Sequence, residues 1–195
     1  MNAFLTQAAA FLIQVAFGFY ILTVLLRLLF QLARADFYNP ISQFVVAITN
    51  PALKPLRRAI PGLLGIDLAS VVLLLLLKLA EFYLLSLLGF FGRVAVTPLG
   101  LGVAAVLDLT KLALYVYIFA ILIRVILSWF NPHGARHNPA LGLVYSLSEP
   151  LLAPARRLIP PVSGMDLSPL AVLVLLQLAM MLLDHLAFTL LPLTG

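Results

Sequence analysis

A chain of 195 residues that is 64% hydrophobic and only 10% charged, with a mean hydropathy of +1.15, lies far outside the composition of a soluble domain and reads as an integral membrane protein. Its 12 basic and 7 acidic residues give a pI near 9.9. The basic ones lie beside or between apolar runs, a pattern of membrane topology and anionic headgroup contact, so no direct nucleic-acid binding is expected. With no cysteine there is no disulfide framework, thiolate metal site or Cys-linked haem.

Taken in order, the chain predicts four transmembrane helices. The first, residues 8–30, is about 34 Å long at 1.5 Å per residue, enough for a hydrocarbon core of about 30 Å. No positively charged segment precedes it and it has a counterpart in the second half, so it is expected to be retained as a span. The others are 68–91, which contains the uninterrupted VVLLLLL of 71–77, then 103–130 and 167–191. The connection GFFGRVAVTPLGLG at 89–102 is short and glycine-rich, which makes spans two and three antiparallel neighbours.

Between the spans of each half the chain writes one stretch twice. TNPALKPLRRAIPGLLGIDLAS at 49–70 and SEPLLAPARRLIPPVSGMDLSP at 148–169 align without gaps at an offset of 99, with ten identities in 22 positions. The chain is therefore a duplicated unit of helix, basic proline-rich loop and helix: an all-α membrane protein with a first repeat at 1–92 and a second at 103–195. Lys and Arg concentrate in these loops (Arg34, Lys54, Arg57, Arg58; Arg136, Arg156, Arg157), with Arg27 and Arg124 at the helix ends that feed them. The opposite side carries Arg93, with Lys111 just inside the third span. Both loops are expected to face the cytoplasm and both termini the other side.

Inside each loop, Asn39-Pro40 and Asn138-Pro139 place a capping side chain before a proline at the first helical position. Ile41, Phe44, Val45 and Ile48 then follow helical spacing, as do Leu143, Val144 and Leu147. Each predicts a short amphipathic helix at the membrane surface. Pro51 and Pro150 are expected to end it, and Asp67 and Asp166 to cap spans two and four.

The Arg57-Arg58 and Arg156-Arg157 doublets admit two readings. They are topology signals and anchors for anionic headgroups, or one arginine of each pairs with Asp67 or Asp166 and folds the loop onto the helix mouth. The fixed spacing of arginine, proline and aspartate favours the second, since a topology signal tolerates shifts. Within the spans, Lys78 and Glu81 are one turn apart and suited to pairing, and Lys111 and Asp184 fall at similar depth on antiparallel spans. Gln177 stands where the first repeat has Lys78, while Gln14, Tyr20 and Arg27 match Lys111, Tyr117 and Arg124 at an offset of 97. These polar groups read as interhelical glue, or Lys78, Glu81, Lys111 and Asp184 as the lining of an ion or proton path. His133 and His137 are separated by Gly134 and preceded by Pro132, against a helix that would converge them on a metal, so no metal site is expected. His185 reads as a polar contact near the outer interface, and Trp129 and Tyr145 as interfacial anchors. No serine elbow, phosphate-binding glycine loop or ligand-spaced acidic cluster is present, so neither catalytic residues nor a cofactor are expected.

RVILSWFNP at 124–132, followed by NP, EPLLAPARRLIPP and GMDLSP, resembles the signature of the YggT family, also called the YlmG family. The first repeat, with RLLFQLA, NP, NPALKPLRRAIP and GIDLAS, is a looser copy: Ala69-Ser70 replace the Ser-Pro that follows aspartate and leucine, and Gln31-Leu32 stand where the second copy has Ser128-Trp129. The resemblance implies a small multi-pass protein of the bacterial inner membrane with two tandem family domains. It also implies links to osmotic or potassium tolerance, to cell division and envelope organisation, or to assembly of membrane cytochrome complexes, and it brings no catalytic residue. The functional expectation is a non-enzymatic scaffold or assembly factor whose paired loops engage a membrane-protein partner, a second copy of the chain or anionic lipid. The alternative is an oligomeric ion channel or transporter component.

Overall fold

The computed structural model describes residues 3–60, 62, 67–89, 97–130, 138–159 and 166–190, with the side chains of residues 129 and 130 set aside. Among the described residues six helices follow one another: α1 (Ala3–Leu32), α2 (Pro40–Ala59), α3 (Leu68–Leu87), α4 (Pro98–Phe130), α5 (Pro139–Leu158) and α6 (Ser168–Leu190). Four of them, α1, α3, α4 and α6, are long and apolar enough to cross a membrane. α3 and α6 are buried on one stripe, whereas the second half of α1, from Ile21 to Phe30, is enclosed on all sides. Phe11, Phe19, Leu175 and Phe188 are among the large apolar side chains that remain exposed, as expected where lipid rather than water is the solvent.

Each repeat packs its two spans together, α1 on α3 and α4 on α6, and α3 lies against α4 as the short connection requires. The core runs through both halves. Ile21, Val24, Leu25 and Leu28 of α1 and Leu73 and Leu74 of α3 share one cluster with Leu143 and Leu147 of α5, while Ile121, Leu152, Val172 and Leu176 form a second. A polar clasp joins the repeats where α5 begins: Asn39 Nδ2 donates to the Pro139 carbonyl at 2.7 Å.

The Asn-Pro starts behave as their chemistry dictates. Asn39 Oδ1 accepts from the Ile41 amide and Asn138 Oδ1 from the Ala140 amide, both at 2.9 Å, with proline at the first helical position in each. The expected ends of these helices are wrong, because α2 runs through Pro51 and Pro55 and α5 through Pro150 and Pro154. All four prolines are exposed, and within each pair they are one turn apart. The carbonyls that Pro51 and Pro55 deprive of a donor, those of Ala47 and Pro51, belong to exposed residues, so solvent or headgroups can take the place of the lost bonds. The buried faces carry instead Ser42, Val45, Thr49 and Leu53 in α2, and Leu143, Leu147, Ser148 and Leu152 in α5. The apolar residues expected on one face are thereby divided: Val45 packs inward, whereas Ile41 and Phe44 stay exposed on a side free to meet lipid.

α1 ends in a Schellman turn. The Ala35 amide donates to the Phe30 carbonyl at 2.9 Å and the Arg34 amide to Gln31 at 3.1 Å. Arg34 occupies the left-handed position at φ 51°, where glycine is the usual residue and a side chain costs about 1–2 kcal/mol.

Leu53 and Leu152 are equivalent and fully buried, each pinning a surface helix to its spans. Replacing either with Ala should cost about 2–5 kcal/mol, read as a fall in the thermal unfolding midpoint in detergent. Leu158→Ala, at a strongly exposed position, should change stability by no more than about 0.5 kcal/mol.

Candidate functional site

In repeat one the site starts from Arg27, which the apolar pattern of α1 carries to the surface end of the span, where it is 9% exposed. A buried guanidinium requires acceptors, and α2 supplies them. Arg27 Nη1 donates to Thr49 Oγ1 at 2.6 Å, to Asn50 Oδ1 at 3.0 Å and to the Val46 carbonyl at 3.4 Å. Thr49 passes its own hydroxyl proton to the Val45 carbonyl at 2.7 Å, a back-bond that bends a helix two residues before Pro51. At the far end of α2, Arg57 grips Asp67 with two bonds, Nη2 to Oδ2 at 2.5 Å and Nε to Oδ1 at 3.3 Å, and the Ser70 hydroxyl donates to the same carboxylate at 2.5 Å.

Repeat two builds the same frame from the aligned residues. Arg124 Nη1 donates to Ser148 Oγ at 2.8 Å, Ser148 donates to the Val144 carbonyl at 2.8 Å, and Arg156 Nε donates to Asp166 Oδ2 at 2.8 Å. Here the position of Asn50 is held by Glu149, which joins the two ends. Its Oε2 pairs with Arg124 Nη2 at 2.7 Å and its Oε1 with Arg156 Nη1 at 2.9 Å. The Arg124 guanidinium lies 4.5 Å from the centre of the Tyr145 ring. Tyr145 is thus a half-buried stacking partner rather than a free interfacial anchor.

Both aspartates stand at the entrance of a span, yet they do not cap alike. Asp166 Oδ1 accepts from the Ser168 amide at 2.9 Å. Asp67 is the N-cap residue of α3 without a side-chain bond to the helix amides, because its oxygens are taken by Arg57 and Ser70. Burial pushes the Asp67 carboxyl up, but the Arg57 and Ser70 hydrogen bonds outweigh it and hold the group below the usual carboxylate range. Asp166 is held low in the same way by Arg156 and Ser168 against a smaller burial. Arg58 and Arg157 lie exposed beside these pairs.

The charges within the spans also find partners. Lys78 Nζ is 2.9 Å from Glu81 Oε2 and, from α3 to α4, 3.2 Å from Asp108 Oδ2; it also lies 4.8 Å from the centre of the Phe82 ring. Lys111 Nζ meets Asp184 Oδ1 at 2.6 Å across α4 and α6. Gln177, expected to act as polar glue, is instead on an exposed face of α6, because α6 turns Val172, Leu176 and Met180 inward. His185 is exposed. Arg136, His133 and His137, together with the Trp129 side chain, lie outside the described residues.

The amino-acid pattern did not single out Thr49, Asn50, Asp108, Ser148 and Glu149, and it placed Arg27 and Arg124 among the topology charges and the interhelical polar groups without their hydroxyl partners. A signal for them was available: the aligned pairs Arg27/Arg124 and Thr49/Ser148 retain donor and hydroxyl in both repeats, while Asn50/Glu149 changes charge at one position of a shared frame.

This arrangement defines a class: an all-helical multi-pass membrane protein of two tandem repeats, each with a proline-bearing surface helix tied by arginines to its spans. The chain belongs to the CCB3/YggT family, whose model matches residues 6–88 and 103–187. It is 46% identical over 184 residues to an uncharacterised protein of Pseudomonas aeruginosa, covering 94% of this chain and 92% of that one. It is 36% identical over 166 residues to the uncharacterised protein YggT of Escherichia coli strain K12, covering 85% and 84%. A third relative, the uncharacterised protein ycf19 of Guillardia theta, is 30% identical over 76 residues, 39% of this chain and 82% of that protein, an extent of about one repeat. No solved structure matches.

Two outcomes follow from the ion pairs. The Asp67 side chain is 7% exposed and the Asp166 side chain 42%, so Arg57→Ala, which strands a buried carboxylate, should cost about 3 kcal/mol and Arg156→Ala about 1 kcal/mol or less. Because both aspartates titrate below their unfolded values, their contribution is fully present above about pH 4 and is lost as pH falls through the folded values. The unfolding midpoint should accordingly be insensitive to these groups between about pH 5 and 8 and fall on further acidification, less steeply in Asp67→Asn.

Proposed function

We propose that the protein is a non-enzymatic scaffold or assembly factor of the bacterial inner membrane, which presents α2 and α5 as paired docking elements to a membrane-protein partner in envelope organisation or membrane-complex assembly. The observation that carries this reading is the double anchoring of each surface helix. Arg27 with Thr49 and Arg57 with Asp67 tether the middle and end of α2, and Arg124 with Ser148 and Arg156 with Asp166 do the same for α5. Two exposed helices held in fixed positions are a recognition surface prepared in advance, which lowers the ordering cost of binding. The excess of Lys and Arg in these segments supports a cytoplasmic placement.

Mutual pairing of Lys78, Glu81 and Asp108, and of Lys111 with Asp184, supports a structural role for the intramembrane charges over an ion path. It makes the channel or transporter reading the weaker one.

The test places photo-crosslinking residues at the exposed positions Arg58 and Arg157 in cells. One protein captured from both sites, and lost when Arg57 and Arg156 are changed together to Ala while membrane insertion persists, is the expected result. Lipid-only adducts, or a protein adduct indifferent to the double substitution, would sink the docking role. Full activity of the Arg57→Lys, Arg156→Lys protein would show that charge suffices without the guanidinium fork.

A further inference from the structure

The repeats differ in one electrostatic respect. In repeat two Glu149 lies between Arg124 and Arg156 and pairs with both. Repeat one has Asn50 at that position, which accepts from Arg27 but brings no charge. Position for position, Arg27 and Arg57 against Asp67 leave a formal +1 (two positive, one negative), where Arg124 and Arg156 against Glu149 and Asp166 sum to zero (two positive, two negative); Arg34 adds one further positive charge in repeat one.

These three arginines and Asp67 line a cavity of about 680 Å³ between the end of α1, the turn that follows it and α2. Arg57 commits Nε and Nη2 to Asp67, and Arg34 has no ion pair among the described residues. Arg34 also holds its left-handed backbone, φ 51°, at a turn position that glycine would fill without strain, and strain of this kind persists where a side chain is needed. A second, independent observation comes from Ser42. It is 5% exposed and its hydroxyl has no hydrogen-bond partner among the described residues. The Ser168 hydroxyl is buried in the same condition, but only Ser42 lies in the wall of this cavity. A buried unpartnered hydroxyl is costly, and a cluster of guanidinium groups beside it supplies the counter-charge and donor geometry for a polyoxygen anion.

We propose that this cavity binds a phosphate-bearing anion, which takes in repeat one the role that the Glu149 carboxylate plays in repeat two. A tetrahedral phosphate offers enough oxygens for several guanidinium groups together, and its charge answers the local excess. Phe30, Phe37 and Val45 in the same wall suit the organic part of a phosphate ester. The source is either the headgroup of an anionic phospholipid or a soluble phosphate. The inference does not depend on the docking role of α2 and α5.

The experiment uses the full chain. Unfolding midpoints and binding isotherms are measured with inorganic phosphate in a non-ionic detergent, and midpoints are compared in nanodiscs of phosphatidylcholine with and without phosphatidylglycerol. A rise with phosphate in detergent supports a soluble anion, a rise only with phosphatidylglycerol supports the headgroup, and no rise in either overturns the proposal. Asn50→Glu, which installs the internal carboxylate of repeat two, should abolish the ligand-dependent rise while keeping the ligand-free midpoint at or above that of the unsubstituted protein. Arg34→Gly should weaken binding by about tenfold or more and raise the ligand-free midpoint by relieving the turn. Arg58→Ala removes an exposed charge outside the cavity and should leave binding unchanged. If Arg58→Ala weakens binding as much as Arg34→Gly, or if the Asn50→Glu and Arg34→Gly proteins both retain the full response, general surface charge is the cause and the site is refuted.

Discussion

A guanidinium carried into an apolar helix must be met by acceptors, and that requirement at Arg27 and Arg124 determines where the rest of each repeat can lie. The acceptor is a hydroxyl in both copies, Thr49 or Ser148, and each turns its own proton back to a carbonyl one turn earlier. This relay fixes α2 and α5 across the ends of the spans in register with the buried arginine. It also sits just ahead of Pro51 and Pro150, so bending by the back-bonded hydroxyl and bending by the proline act on the same stretch of helix. The prolines can then stay within the helix because they face outward, where the carbonyls they orphan are not buried. A second tether, arginine to aspartate, closes the loop onto the next span. Each surface helix is thus held at its middle by an arginine of the preceding span, buried in repeat one and half-buried in repeat two, and at its end by a surface one.

The spans solve the same desolvation problem in another way. Lys78 lies between Glu81 on its own helix and Asp108 on α4, and Lys111 reaches Asp184 on α6. In a medium of low dielectric these groups are costly when isolated and much less so when paired. Pairs that bridge α3 to α4 and α4 to α6 also resist sliding of one span along another, which apolar packing against lipid-like neighbours controls weakly. The Lys78 ammonium over the Phe82 ring adds a cation–aromatic contact at the same position. Charge within the bundle therefore favours one helix register in a core made mostly of Leu, Ala, Val and Ile.

Much of this was legible in the amino-acid order because it depends on local chemistry. Apolar length defines the spans, Asn-Pro defines the starts of α2 and α5, and a fixed arginine-to-aspartate spacing foretells the loop pairs. Lys78–Glu81 and Lys111–Asp184 were legible from helical spacing and antiparallel depth. The prolines misled because their effect depends on which side of a helix they occupy. Pro51 and Pro55 on a buried face would have ended α2, and which face is buried is decided by α1 and α3 rather than by α2. The partners of Arg27 escaped the sequence for a related reason. The meaning of that arginine depends on Thr49 and Asn50, 22 and 23 residues away, and on a bend that brings them within reach. Gln177 shows the limit in the opposite direction, since a polar residue aligned with Lys78 does not inherit its environment when the packing of α6 selects another stripe.

The substitution of Asn50 for Glu149 in a shared frame explains how two copies of one element differ in what they can hold. In repeat two a single carboxylate bridges the inner and outer arginines, so the network is complete within the chain and the charges balance. In repeat one the amide keeps the hydrogen bond from the inner arginine and gives up the bridge, since a neutral oxygen cannot compensate two guanidinium groups. Arg57 then turns wholly to Asp67, and Arg34, on a strained turn, adds a further positive charge to the same space. The frame survives because the hydroxyl relay and the arginine-aspartate pair do not require the bridge. Duplication thus leaves one copy electrostatically closed and the other open, with the tethers that fix the helices separated from the position that determines what lies between them.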